Sequence, residues 1–571
     1  MSGDAHLLVA ADYVVFAVVL LLSAAVGFYY AWRSRKQGTS RDFLTGGRKL
    51  NALAVSMSLT ASYMSSVTVL SNPAEVYRYG AIFGYLSISY VIAVVYTSEV
   101  FLPVFYRLAI NSTYEYLELR FSRATRLLGM LIFFFNLLYT GLVIYAPALA
   151  LNQVTGMNLW GGIISTATVC TLYCALVSKT FITYDTHTIG IMFAGYMSVI
   201  IKSVILKGGI STILSDAQEG GRINFVDFDI NPLRRHTFWT LVIGGAFTWS
   251  SIYGTYQPQV QRYNSCKSIK HARLALFINV LGLACTLTSS VISGLCLYSF
   301  YKNCDPWKAG QVSSPDQLLP YLVMDILADH QGLPGLFFAA VYSASLSTVS
   351  TSINAMAAVT MEDLIKPRIK LSEKKLLLIS KGLIFVVQKR NGNKDSDICP
   401  QGGLCGLVTG LAAAVSVSII GMISPSPPEM TRPLFLSTEG CNFTTGSSFN
   451  WTTPLPTEPM WSSLHAVQWH SPSYLYFCVI GGLTSVIVGI IISLLTGGLR
   501  ETVDPRLMLM KEDTLSYHLF KRVKDGVRAE EQRYQKQQTD DRRSILPCTF
   551  PSLGHGRNRQ CWSAKQGGWN Q

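Results

Sequence analysis

The chain has 571 residues, of which 49% are hydrophobic and 14% are charged, whereas about 25% of the residues in an average soluble domain are charged. With a mean hydropathy of +0.31, this composition excludes a protein that is soluble throughout and predicts one polytopic, all-α membrane unit. The net charge of +14 does not indicate a nucleic-acid partner, because the Lys and Arg residues are spread between apolar segments rather than gathered in one basic domain.

Apolar windows of about 20 residues predict the membrane spans. There are eleven, at residues 12–33, 50–71, 81–108, 125–151, 158–178, 187–209, 237–258, 272–301, 333–360, 403–424 and 473–498. Acidic residues, Asp4 and Asp12, come before or at the start of the first span where a signal peptide would have basic ones. We therefore expect this span to be retained as a helix.

The Lys and Arg residues between the spans predict the orientation. The loop after the first span is strongly basic, which places it in the cytoplasm and the N-terminus outside. Loop 425–472, predicted outside, has Arg432 as its only Lys or Arg and contains glycosylation sequons at Asn442 and Asn450. Cys304 and Cys441 also fall outside, where two thiols can pair. The tail, 499–571, is predicted to be cytoplasmic and largely disordered.

Two spans are crowded with small, polar and helix-breaking residues. One is 50–71, and the other is 237–258, which contains Gly244, Gly254 and Pro258. An interrupted helix in lipid leaves backbone carbonyls free, which is tolerated where they line a cavity or bind an ion. Paired broken helices indicate the central site of a secondary transporter, although small residues also permit close helix packing.

Span 333–360 is rich in hydroxyl groups, with eight Ser or Thr residues from Ser343 to Thr360. Hydroxyls and freed carbonyls are oxygen ligands of the kind that a hard cation such as Na⁺ prefers. The composition of this span therefore predicts a sodium site. Each hydroxyl can also bond back to its own helix, so most of the eight are expected to be structural.

Long motifs run almost continuously from residue 12 to about residue 384. They include SLTASYMSSVTVL, AEVYRYGAIF, QVQRY and LSTVSTSINAMAAVTMEDLIKP. In these stretches the chain resembles the sodium/solute symporter family, and within it the sodium-coupled monocarboxylate transporters. The iodide and the biotin/pantothenate transporters look alike in the same stretches, but Thr68, where the iodide carrier has a glutamine, favours monocarboxylates. The resemblance implies a LeuT-like core of two inverted five-helix repeats.

The resemblance also implies two sets of site residues. A sodium ion is held in the family by carbonyls of the first broken helix and hydroxyls of the eighth core helix, which here correspond to Ala61, Met64, Ala344, Ser347 and Thr348. The substrate cavity corresponds to Tyr63, Thr68, Trp249 and Tyr253. Asp185 matches an acid associated with a further sodium, and Gln257 matches a nearby polar position. The run LVSKTFITYDTHT around Asp185 departs from the family pattern.

The largest departure from the family follows Lys381. The family continues there with the rest of one helix and a whole second helix, whereas this chain has a polar run, QKRNGNKDSDICPQ, before Gly402. Two spans and a turn need roughly 45 residues, and only 14 residues separate Val387 from Gly402. We therefore expect the core to lack about two helices of its second repeat.

These features predict a sodium-coupled symporter of small monocarboxylates, such as lactate, pyruvate, short-chain fatty acids and nicotinate-like acids, in the plasma membrane. Na⁺ would be the co-transported ion, and no cofactor is expected. Two alternatives stay open: a truncated variant that does not transport, and a sodium-coupled carrier of iodide or a vitamin. An enzyme is not expected, because the sequence has no nucleotide loop, metal-binding pattern or nucleophile elbow.

Overall fold

The computed structural model describes residues 8–33, 48, 50–110, 112–136, 138–177, 181–365, 401–423, 426–441, 471–496 and 504–544. Two compact units make up the chain, Met1–Met510 and Lys511–Gln571. The described part of the first unit is built from helices, with an isolated β-bridge between Leu50 and Cys266. The predicted glycosylation sites, Asn442 and Asn450, lie outside the described residues.

The α-helices are numbered here in chain order. They are α1 (Ala10–Arg33), α2 (Ala52–Tyr63), α3 (Ser66–Tyr79), α4 (Leu86–Tyr96), α5 (Leu102–Leu108), α6 (Thr113–Arg120), α7 (Arg123–Asn136), α8 (Tyr139–Thr155), α9 (Leu159–Val177), α10 (Phe181–Leu206), α11 (Ile210–Glu219), α12 (Gly245–Thr255), α13 (Gln257–Tyr263), α14 (Ile269–Tyr301), α15 (Leu318–Leu327), α16 (Leu333–Val359), α17 (Gln401–Ile423), α18 (Pro428–Thr431), α19 (Phe477–Leu495) and α20 (Leu515–Ser544).

Many of these helices are long and apolar enough to cross a membrane. Among the described residues there are seven such helices, or eight when the bent pair α2 and α3 counts as one span. The predicted span 237–258 is not among them; it contains a π-helical turn, Thr240–Gly244, and has a break at Tyr256. The protein is therefore a multi-pass membrane protein whose helices include two interrupted ones.

Loop ends that were predicted to lie outside are hydrogen-bonded to one another. The backbone N–H of Leu434 donates to the carbonyl of Arg78 at the end of α3 (2.9 Å), and the N–H of Asp305, after α14, donates to the carbonyl of Ser437 (2.9 Å). Cys304 and Cys441 form a disulfide with their Cα atoms 5.0 Å apart. The segment 426–441 is thus fixed to the ends of α3 and α14.

A second group of loop ends, all predicted to be cytoplasmic, also meets. Lys267, after α13, donates its N–H to the carbonyl of Leu50, before α2 (3.2 Å). The hydroxyl of Tyr106 on α5 donates to the carbonyl of Cys266 (3.1 Å). The linkers before α2, after α5 and after α13 are therefore neighbours. This agrees with the distribution of Lys and Arg, which predicts that all three lie on the cytoplasmic side.

Helices α17 and α19 pack closely against each other through small residues. Gly402, Gly406 and Gly410 recur at every fourth position of α17, and a Cβ added at Gly406 would lie 2.5 Å from the Ser485 carbonyl oxygen of α19. A Cβ added at Gly410 would lie 2.5 Å from the Gly481 carbonyl oxygen. Small residues at this spacing let two helix backbones approach in lipid, where no hydrophobic effect drives their association.

The second unit differs from the expectation of a largely disordered tail. Its described part contains α20, a helix of 30 residues. The sequence supports this helix because it has no proline in that range, and because opposite charges such as Lys521 and Asp525, four residues apart, fall on one face. Thr514 precedes the helix, and its hydroxyl accepts a hydrogen bond from the N–H of Tyr517 (3.4 Å).

We predict that Gly406→Leu destabilises the protein by about 2 kcal/mol, because the added side chain overpacks the contact with α19. The matched control is Gly482→Leu, since a Cβ at Gly482 meets no atom within 4 Å. Thermal unfolding of the purified chain in detergent measures both variants. Equal unfolding temperatures for the two variants would contradict the assigned packing.

Candidate functional site

The first interrupted helix breaks at Met64 and Ser65. Met64 follows α2 with a non-helical backbone (φ −80°, ψ 68°), and Ser65 is the N-cap of α3, where its side chain accepts a hydrogen bond from the N–H of Thr68 (3.3 Å). Ser is a favoured residue at a helix N-terminus for this reason. The two helices meet at an angle of 62°. A local sequence signal, Ser65 with Thr68, thus determines where α3 begins.

The break leaves backbone carbonyls at the end of α2 without helical partners. Two of them are capped by side chains: the hydroxyl of Thr348 donates to the Ser62 carbonyl (3.0 Å), and the hydroxyl of Thr68 donates to the Tyr63 carbonyl (3.1 Å). The carbonyls of Ala61 and Met64 accept no hydrogen bond from any residue that the structure describes. These two residues are buried, and their carbonyls were the ones assigned to a sodium ion.

Helix α16 supplies the other predicted sodium ligands and lies against α2. Ala344 and Ser347 are fully buried, and the Thr348 hydroxyl is shared between the carbonyls of Ser62 and Ala344 (3.0 and 3.2 Å). The structure therefore brings Ala344 and Thr348 to the end of α2, beside the uncapped carbonyls. Such a set of carbonyl and hydroxyl oxygens suits a hard monovalent cation.

Several other hydroxyls of α16 bond back to their own helix. Ser350 and Thr351 both donate to the Ser347 carbonyl (3.0 and 2.8 Å), and Ser352 donates to the Thr348 carbonyl (3.1 Å). These groups act structurally, which is the usual fate of a hydroxyl inside a membrane helix. The Thr348 hydroxyl differs from them because it also reaches a carbonyl of a second helix.

Three of the four residues assigned to the substrate cavity form an aromatic cluster. The Tyr63 ring lies 5.4 Å from the Trp249 ring and 5.2 Å from the Tyr253 ring, measured between centroids. Tyr90 joins them, with its ring 4.7 Å from that of Trp249 in an edge-to-face arrangement. Thr68, the fourth residue, is bonded to the Tyr63 carbonyl. The four predicted positions are therefore adjacent, next to the break.

The second interrupted helix is shaped by close contacts with α4 and with the π-helical turn Thr97–Phe101 that follows α4. Ser89 on α4 donates to the Leu241 carbonyl inside the π-helical turn (2.7 Å). A Cβ at Gly245 would lie 2.6 Å from the Ser89 hydroxyl oxygen, and a Cβ at Gly254 would lie 2.4 Å from the Phe101 ring. Glycine is required at both positions so that the helix that carries Trp249 can approach its neighbours.

Asn279 is a site residue that the sequence analysis missed. It is fully buried on α14, and its amide donates to the Tyr253 hydroxyl (2.8 Å) while its carbonyl oxygen accepts from the Thr60 hydroxyl (2.8 Å). This chain of hydrogen bonds links α2, α12 and α14. An asparagine inside the apolar run LALFINVLGL was the available signal, since polar residues inside a membrane span are costly and often functional.

Arg262 is a second missed residue; it follows the predicted span 237–258 in the sequence, on the side predicted to be cytoplasmic. The structure places its guanidinium against two hydroxyls, Ser62 on α2 and Thr351 on α16, with the latter at 2.6 Å. Ser62 lies between Ala61 and Tyr63 in the chain, so a fixed positive charge borders the candidate cation site. Arg262 also joins α2, α13 and α16 on the side predicted to be cytoplasmic.

Of the two residues assigned to a further sodium ion, the structure describes the side chain of Gln257 but not that of Asp185. Gln257 is buried at the start of α13, and its side-chain oxygen accepts from both the N–H and the hydroxyl of Thr113 (2.8 and 3.1 Å). It thereby caps α6 rather than pointing only toward the break. The backbone of Asp185 belongs to α10, but its side chain lies outside the described residues.

Comparisons with known proteins agree on the class of this chain. A family model described as the sodium:solute symporter family matches residues 43–389. Sodium-coupled monocarboxylate transporter 1 of Homo sapiens is 51% identical over 559 aligned positions, covering 90% of this chain and 92% of the relative. Sodium-coupled monocarboxylate transporter 2 of Mus musculus is 45% identical, covering 87% of this chain and 86% of the relative.

Two further similarities bear on solute class and on fold. The sodium/iodide cotransporter of Homo sapiens is 40% identical, covering 89% of this chain and 87% of the relative. A solved Na⁺-coupled sialic acid symporter superposes with a TM-score of 0.64 at 21% identity, covering 85% of this chain and 98% of the other. The described helices thus share the LeuT-like fold of that symporter.

We predict that Na⁺ stabilises the purified chain relative to choline, by about 1.4 kcal/mol at ten times the dissociation constant. The double variant Ser347→Ala with Thr348→Ala should lose this stabilisation, because it removes both hydroxyls of the candidate site. Ser352→Ala is the matched control, since it removes a hydroxyl that bonds within the same helix. Thermal unfolding in NaCl and in choline chloride measures the effect. Retained stabilisation in the double variant would exclude these ligands.

We also predict that Asn279→Leu costs about 2 kcal/mol of stability, because the buried Tyr253 hydroxyl loses its partner and the Thr60 hydroxyl keeps only the Ser56 carbonyl. In a Tyr253→Phe background the cost should fall by about 1 kcal/mol, since the Tyr253 hydroxyl that would lose its partner is then absent. A double-mutant cycle of thermal unfolding measures this coupling. Additive losses would show that the Asn279 to Tyr253 hydrogen bond is not stabilising.

Proposed function

Because the chain belongs to the sodium:solute symporter family, we propose that it carries lactate, pyruvate, short-chain fatty acids and nicotinate-like acids across the plasma membrane with Na⁺. It is a sodium-coupled transporter of monocarboxylates and not an enzyme, and Na⁺ is its co-transported ion. The observation that carries the solute class is its 51% identity to a monocarboxylate transporter, against 40% to the iodide cotransporter.

In the proposed mechanism, Na⁺ binds where α2 breaks. The carbonyl oxygens of Ala61, Met64 and Ala344 and the hydroxyl oxygens of Ser347 and Thr348 hold it. Two of these carbonyls are buried and uncapped at the end of α2, so an ion there replaces hydrogen bonds that the helix cannot make. Binding also draws α2 and α16 together, because the ligands come from both helices.

The solute lies beside this ion, against the cluster of Tyr63, Trp249 and Tyr253. The aromatic rings contact its apolar part, and Thr68 lies at the start of α3. The positive end of the α3 helix dipole and its first N–H groups attract the carboxylate. The bound Na⁺ adds a second positive charge, so ion and solute each favour binding of the other.

The membrane potential supplies the driving force. Inward movement of one net positive charge, as when two Na⁺ accompany one carboxylate, yields about 2.3 kcal/mol through 100 mV, which corresponds to roughly 50-fold accumulation of a solute. We propose that the N-terminus is outside and the C-terminus cytoplasmic, with Asn442 and Asn450 glycosylated. We further propose that Asp185 and Gln257 contribute to a second sodium site.

We also propose that the transport core lacks about two helices of its second repeat. The alignment with the human monocarboxylate transporter spans 559 positions but only 90% of this chain, about 514 residues. The remaining 45 or so positions of the relative match what two spans and a turn require. In addition, α17 and α19 are mostly exposed, whereas α16 is mostly buried.

This shortened core favours a second candidate function, a variant that does not transport but binds full-length relatives. A wall of the permeation pathway would then be incomplete, and the closely packed pair of α17 and α19 would be attached to the rest by fewer contacts. The alternatives of iodide or a vitamin such as biotin or pantothenate keep transport and change the solute.

We predict Na⁺-dependent uptake of labelled pyruvate in cells that express the chain. Replacement of Na⁺ by choline should abolish uptake, and Ser347→Ala with Thr348→Ala should reduce it at least tenfold, a loss of about 1.4 kcal/mol or more in ion binding. Ser352→Ala again serves as the matched control. Unchanged uptake in choline or in the double variant would contradict the mechanism.

Competing solutes separate the candidate functions in the same assay. Excess lactate should compete with pyruvate, whereas iodide and biotin should not. Competition by iodide or biotin alone would reassign the solute. Normal surface expression without uptake of pyruvate, iodide or biotin would favour the non-transporting variant.

A further inference from the structure

The helix α20 has two chemically different faces in its first half, residues 515–528. Its apolar side chains fall within an arc of about 140° at 3.6 residues per turn; they are Leu515, Leu519, Phe520, Val523 and Val527. All are exposed, with Phe520 74% and Val523 65% accessible. An apolar stripe of this kind on a water-exposed helix requires a partner surface.

The remainder of the helix circumference is basic. Between residues 515 and 528 there are four Lys or Arg residues, Lys521, Arg522, Lys524 and Arg528, and one acidic residue, Asp525. At 3.6 residues per turn, Lys521 and Arg528 lie on the side opposite Val523, and Arg522 and Lys524 flank the apolar arc. A helix with an apolar face and a basic face is typical of segments that lie in the plane of a membrane surface.

The position of α20 in the chain favours a lipid surface over other partners. It begins at Leu515, after the apolar helix α19 ends at Leu495. The intervening 19 residues reach at most about 65 Å when fully extended. This short tether keeps α20 near the bilayer that α19 crosses, so the effective concentration of the helix at the lipid surface is high.

We propose that residues 515–528 form an amphipathic helix that lies on an anionic lipid leaflet, with Leu519, Phe520, Val523 and Val527 inserted among the acyl chains. The basic side chains contact acidic headgroups, as clusters of Lys and Arg beside a membrane span do. The inference is independent of the transport function, because it follows from the helix and its tether alone.

Hydrogen exchange of the full-length chain in lipid nanodiscs tests this directly. Amides of residues 515–528 should exchange about tenfold more slowly in discs of phosphatidylcholine with 30% phosphatidylserine than in discs of phosphatidylcholine alone. The difference should shrink in 0.5 M NaCl, because salt screens exposed charges. Equal exchange in the two kinds of disc would overturn the proposal.

Two variants with the same change in charge distinguish insertion of the apolar face into the lipid from electrostatic attraction of the basic residues alone. Val523→Glu places a carboxylate in the apolar stripe and should abolish the protection. Tyr517→Glu places one on the opposite face, at a residue that is 38% exposed, and should retain most of it. Equal losses in the two variants would overturn insertion. Protection that appears only when calcium-loaded calmodulin is added would overturn the lipid assignment in favour of an acidic protein.

Discussion

A break in a membrane helix leaves backbone carbonyls that only neighbouring side chains or a bound ion can satisfy. The break at Met64 illustrates how closely this constraint is met here. Thr348 caps one carbonyl from across the helix interface, and Thr68 caps another from the following half-helix. The carbonyls of Ala61 and Met64 are left buried and uncapped by the described residues. Leaving such carbonyls buried and unpaired costs free energy, which a cation bound at the proposed site would offset.

The helices around the break are joined by polar contacts that cross between them. Asn279 links Thr60 to Tyr253, and Arg262 links Ser62 to Thr351. Asn279 and Thr351 lie on continuous helices, whereas Thr60, Ser62, Tyr253 and Arg262 belong to the two interrupted ones. The end of α2 is therefore linked through Asn279 to the helix that carries Trp249 and Tyr253. These contacts join the two sets of candidate site residues.

The pair of α17 and α19 is held together differently. Its glycines allow two backbones to come within van der Waals contact, and most of its remaining surface is exposed. Close packing of this kind does not depend on the rest of the core. The pair can thus keep its own structure independently of the helices that precede it.

The sequence by itself determined the membrane class, the family, the two interrupted spans and the identity of the residues beside the break. Those properties are local: hydropathy, the charge of loops, and motifs such as SLTASYMSSVTVL can be recognised without knowing which helices meet. Only the tertiary structure assigned partners to Asn279 and Arg262, directed Gln257 to α6, and paired the glycines of α17 with α19. The sequence also underestimated the helix in the tail. The hydrogen bond between the Thr348 hydroxyl and the Ser62 carbonyl depends on packing between segments about 290 residues apart in the chain. No local sequence pattern encodes such a contact.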